Sequence, residues 1–129
     1  MSREALGKIY RDGEIVIRQG DRGDSLYVIQ EGQVEILVEK EGREIVLRVL
    51  GPNELIGEMA IIEKEVRSAT ARAKGTARIL TIDKKNFLKR ISEDPTLAFR
   101  IIETMSRRIR DLSQQIAKLK TSHNLLFIV

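Results

Sequence analysis

Cysteine is absent from this 129-residue chain, which removes disulfides, thiolate metal sites and iron–sulfur clusters from consideration. Tryptophan is absent as well, and two tyrosines with three phenylalanines make up the aromatics, too few for a platform that stacks single-stranded nucleic acid. The one histidine, His123, is a poor start for a metal or haem site, which needs several donors converging. No metal is expected. With only two prolines, and no linker, internal repeat or low-complexity stretch, the chain is expected to fold as one domain over residues 1–129. No run of eighteen apolar residues occurs, and the opening Met-Ser-Arg-Glu lacks the basic-then-apolar order of a secretion signal. The expectation is a cytoplasmic protein without a membrane segment. Charge of one sign is scarce too: 23 basic against 19 acidic residues leave +4, a weak footprint for nucleic acid, and no direct nucleic-acid binding is expected. The sequence also offers no paired nucleophile and base and no set of metal ligands, which argues against an enzyme.

Glycine is what punctuates the first two-thirds. Gly13, Gly20, Gly23, Gly32, Gly42, Gly51, Gly57 and Gly75 separate short stretches rich in Val, Ile and Leu, the arrangement of many short antiparallel strands joined by tight turns. Ile15 and Ile17, Leu26 and Val28, and then Val34, Ile36 and Val38 alternate with polar neighbours, so one strand face can line an interior. Glu44 to Leu50 and Ala77 to Ile82 continue the pattern. Gln19 to Ser25 reads as a plain turn. The β region is expected over about 10–83. Helical spacing begins at Lys84, with Phe87, Leu88 and Ile91 on one face, and predicts a short helix over 84–92. Asp94 is a cap for a new helix with Pro95 at its first position, expected to run over 95–122.

Residues Gly57 to Ala73 read Gly-Glu-Met-Ala-Ile-Ile-Glu-Lys-Glu-Val-Arg-Ser-Ala-Thr-Ala-Arg-Ala. A glycine opening a turn exposes backbone N–H groups as an anion site, and Arg67 adds a planar fork matched to phosphate oxygens. Glu58 would be repelled by a phosphate, so it belongs there only as an acceptor for neutral groups such as sugar hydroxyls. Phosphate plus sugar suggests a nucleotide. The ordinary alternative is a surface Glu and Arg flanking a buried turn.

The stretch Gly57–Thr70 resembles, position by position, the phosphate-binding cassette of cyclic-nucleotide-binding domains, the family of catabolite-activator-type regulators and protein kinase A regulatory subunits; Val66 stands where proline is commoner. The likeness extends from about Tyr10 to Ser113. It implies a mainly β fold with flanking helices, a jelly-roll-like double-stranded β-helix followed by a long C-terminal dimerisation helix. It further implies that Arg67 and Ser68 hold the cyclic phosphate, that Glu58 and the backbone near Gly57 hold the ribose 2′-hydroxyl, and that the turn through Met59 and Ala60 supplies N–H donors. The implied ligand is cAMP, with cGMP as the alternative. The implied role is a sensor acting on an unknown downstream protein; a ligand-free dimerisation domain and the sensor part of a longer regulator or channel stay open.

The last helix carries a second pattern. Ala98, Ile102, Met105, Ile109, Leu112, Ile116 and Leu119 follow steps of four and three, a heptad seam with Ile at a and Met or Leu at d that favours a parallel pair. A homodimer through Ile102, Met105, Ile109, Leu112, Ile116 and Leu119 is expected, although the first turns carry enough apolar width to pack on the chain's own roll. By the resemblance, Leu112 and Ser113 take the two base-contacting positions and Arg108 approaches Glu58. The register would put His123 at a and Leu126 at d, and the apolar end Phe127 to Val129 either docks or continues into a longer protein.

Overall fold

The computed structural model describes residues 6–58 and 66–128, with side chains described as far as residue 121. The chain divides into two compact units, Met1–Phe87 and Leu88–Val129. The first is built on six strands: β1 (Lys8–Tyr10), β2 (Ile15–Ile17), β3 (Ser25–Lys40), β4 (Arg43–Leu50), β5 (Leu55–Ile56) and β6 (Thr70–Asp83). All pairings are antiparallel, in the order β1-β6-β3-β4, with β2 also on β6 and β5 also on β3.

The architecture is therefore mainly β, as expected, but two of its strands are long where the glycine spacing suggested short ones. Strand β3 runs through Gly32 and β6 through Gly75. Here the two strands bulge: Glu31 faces Arg78 and Gln33 faces Lys74, so β6 spends extra residues opposite one of β3. Gly32 has φ 84°, and a Cβ there would lie 2.3 Å from the Thr76 carbonyl oxygen. Only glycine fits this close crossing. Such irregularities let a strand change the face it turns inward, so the expected alternation drifts. Leu26, Ile29, Val34 and Leu37 are the buried residues of β3, whereas Val28 and Ile36 are partly covered.

One core cluster joins Tyr10, Ile17, Ile29, Val34, Leu50, Ile56, Ala71, Ala73, Ala77 and Ile79. A smaller one joins Leu26 and Ile82, with Phe87 packed against it. Strand β4 is an edge, and its Ile45, Val46, Leu47 and Val49 remain exposed.

Helix α1 spans Lys84–Glu93 and helix α2 spans Pro95–Ile128, the second longer than the sequence suggested. Their junction is capped as the sequence predicts: the Asp94 carboxylate accepts from the Thr96 amide at 3.1 Å and from its hydroxyl. The second unit exposes an apolar stripe, with Ile102, Ile109, Leu112, Ile116 and Leu119 all open to solvent. None of the helices among the described residues is long and apolar enough to cross a membrane. The described residues hold no group of three or more His, Cys, Asp and Glu that could bind a metal.

Candidate functional site

Two strand ends bring the cassette together. Strand β5 pairs with β3, setting Ile56 beside Tyr27, and so delivers Gly57 next to the start of β3 at Ser25. Strand β6 starts at Thr70 opposite Leu37, which fixes Arg67 and Ser68 just before it. Gly57 turns with φ 82°, a left-handed conformation suited to glycine.

Arg67 is the centre of the arrangement. Its guanidinium donates through Nη1 to the Gly57 carbonyl at 3.0 Å and through Nη2 to the Ser25 carbonyl at 2.8 Å. The residue is 8% exposed, the one charged or polar residue among the described ones to be buried to this degree. Its backbone is clamped as well. The Gly20 amide donates to the Arg67 carbonyl at 2.9 Å, and the Arg67 amide donates to the Asp21 carbonyl at 2.8 Å. Cζ also lies 6.0 Å from the centre of the Tyr27 ring, at the outer reach of a cation–π contact. Thr70 adds a further tie, its hydroxyl accepting from the Gln19 amide at 2.9 Å.

In the structure Arg67 bridges two segments, because a buried guanidinium must find acceptors. The acceptors are backbone carbonyls, which are neutral, so they orient the cation without cancelling its charge. Sequence reasoning missed the turn Gln19–Ser25, which it treated as a plain connection and which here grips Arg67 from both its backbone and its side chain. No sequence pattern marks a carbonyl as the acceptor of a distant guanidinium.

The other expected residues divide by location. Glu58 follows Gly57 and is half-buried, while Ser68 is exposed next to Arg67. Gly57, Glu58, Arg67 and Ser68 thus belong to one unit. Met59 and Ala60 lie outside the described residues. Arg108, Leu112 and Ser113 lie on α2 in the second unit, where Leu112 and Ser113 are exposed and Arg108 is partly covered.

Residues 8–94 match the family model described as the cyclic nucleotide-binding domain. The chain belongs to the cyclic nucleotide-binding domain family. Among relatives, it is 32% identical over 112 residues to the cAMP-activated global transcriptional regulator CRP of Salmonella typhimurium, covering 85% of this chain and 53% of that protein. It is 40% identical over 79 residues to the cAMP-dependent protein kinase regulatory subunit of Schizosaccharomyces pombe, covering 61% of this chain and 18% of that one. In structure it is similar to the catabolite activator protein of Thermus thermophilus, with a TM-score of 0.77 at 31% identity, over 88% of this chain and 54% of the other. The chain spans about half the length of CRP and of the catabolite activator protein.

Proposed function

We propose that the chain is a regulatory sensor that binds cAMP, with cGMP as the alternative ligand, and relays occupancy through α2 without chemistry of its own. The observation that carries this reading is the held, charged state of Arg67. A guanidinium has five N–H donors, and the two carbonyl bonds account for two of them. A cation already oriented loses little side-chain freedom when it pairs with an anion, so more of the interaction appears as affinity.

In this proposal Arg67 and the adjacent Ser68 take the cyclic phosphate, and Glu58 with the Gly57 backbone takes the ribose hydroxyl. Met59 and Ala60 supply turn amides by the family pattern alone. Arg108, Leu112 and Ser113 are assigned to the helix side of the ligand on the same basis. The seam on α2 supports a homodimer through Ile102, Met105, Ile109, Leu112, Ile116 and Leu119, since an exposed a/d stripe is stabilised by a second helix. Both named relatives are regulators, one described as a cAMP-activated transcriptional regulator and one as the regulatory subunit of a cAMP-dependent protein kinase, which supports a non-enzymatic role. The ligand must favour one state of the helix over another, because it shifts an equilibrium only by differential affinity. The output then passes to another protein.

Thermal melts against a panel of cAMP, cGMP and a cyclic dinucleotide test the reading. At a hundred times its dissociation constant a ligand adds about 2.7 kcal/mol to stability, so the midpoint rises with cAMP. A midpoint unmoved by every nucleotide would favour a ligand-free domain.

A further inference from the structure

Gly23 lies in the turn between β2 and β3, and the space above its Cα belongs to Arg67. A Cβ at residue 23 would lie 2.7 Å from Nη2, 3.2 Å from Nε and 3.3 Å from Cζ of Arg67. All three nearest atoms are those of the guanidinium. The backbone gives no reason for glycine here: the left-handed glycines are Gly13, Gly20, Gly32, Gly42, Gly57 and Gly75, and Gly23 is not among them. Gly13 and Gly20 show the opposite case, a positive φ with nothing within 4 Å of a Cβ. They are glycines of conformation. Gly23 is a glycine of space.

The same guanidinium meets a second glycine. A Cβ on Gly57 would lie 2.7 Å from Nη1, so each terminal nitrogen has a bare Cα against it. Both carbonyl bonds, at 3.0 and 2.8 Å, then hold the fork in the remaining space.

We propose that Gly23 is a positioning residue of the nucleotide site, holding the Arg67 fork at the phosphate by leaving room for it. The inference rests on the reading of Arg67 as the phosphate-binding cation. The three atoms nearest an added methyl all belong to the end of a long side chain, which can shift more easily than backbone, so the fork moves. Displacement costs it the carbonyl bonds that orient it, and a fork out of place forms its charged hydrogen bonds poorly.

The test is a cycle of four chains: wild type, Gly23→Ala, Arg67→Lys and the double variant, with Gly51→Ala as a control because nothing lies within 4 Å of a Cβ there. Each is titrated with cAMP and cGMP and melted without ligand. Gly23→Ala is expected to weaken nucleotide binding about tenfold or more, the effect of one lost charged hydrogen bond. Gly51→Ala is expected to stay within about twofold of wild type. In the Arg67→Lys background, where Nη2 no longer exists, adding Gly23→Ala should change affinity less than about twofold, since a shared contact shows as non-additivity. Wild-type affinity in Gly23→Ala, or an equal loss in both backgrounds, overturns the proposal. Should Gly23→Ala fail to fold, a folded double variant supports the same clash, and an unfolded one refutes it. If wild type binds neither nucleotide, the functional reading fails and takes this inference with it; if wild type binds and Gly23→Ala matches it, this inference fails alone.

Discussion

Removing the Arg67 side chain should destabilise the protein even with no nucleotide present. In Arg67→Ala the Gly57 and Ser25 carbonyls lose donors at 3.0 and 2.8 Å, each a bond to a charged group contributing about 1.5–3 kcal/mol. The residue is only 8% exposed, so its aliphatic stem loses packing as well. Water entering the vacated space would rehydrate the two carbonyls and return part of that loss, which places the net cost near the lower sum, about 2–4 kcal/mol. For a domain of this size about 4 °C of midpoint accompanies each kcal/mol, so a drop of about 8–16 °C is expected in a thermal melt and a matching shift in urea. Arg67→Lys, which keeps the charge and can reach one carbonyl, should fall between. An Arg67→Ala chain melting within about 2 °C of wild type would show that the two carbonyl bonds contribute little to the fold and leave Arg67 a purely ligand-facing role.

Gly32→Ala should cost about 2 kcal/mol or more, because φ 84° disfavours any side chain and the new Cβ would sit 2.3 Å from the Thr76 carbonyl oxygen; denaturant unfolding measures it. The Asp94 carboxyl is held below its usual range chiefly by the Thr96 hydroxyl, against an opposing desolvation and with a smaller contribution from the Thr96 amide. The stability it lends to the start of α2 is therefore full above the ordinary carboxylate range and is lost as pH falls through the lowered value. Circular dichroism of wild type and Asp94→Ala should show a gap in helix stability at neutral pH that closes on acidification. Ile109 is 65% exposed at an a position of the heptad seam, so Ile109→Glu should abolish the self-association expected of wild type in sedimentation experiments.

Much of the fold was legible because periodicity is a local signal. The helix start at Pro95 with its Asp94 cap, the end of the last strand at Asp83 and the mainly β character all follow from residues adjacent in sequence. The merging of predicted short strands into β3 and β6 was not legible, since Gly32 and Gly75 signal a turn and a bulge alike. Whether a strand ends or runs on there depends on its partner strand across the sheet. The site divides the same way. Gly57, Glu58, Arg67 and Ser68 are close in sequence, so a window of the chain contains them together, whereas the acceptor on Ser25 lies 42 residues from Arg67. The pairing of β5 with β3 creates that contact, and no window of the sequence contains it.

Isothermal titration calorimetry of the purified chain with cAMP and with cGMP decides whether Arg67 is, as proposed, a preset cation for the phosphate of a cyclic mononucleotide. Saturable binding of one nucleotide per chain is expected, weakened in Arg67→Lys by about tenfold or more. Flat titrations for both nucleotides, or an affinity indifferent to the loss of the guanidinium, would overturn the proposal.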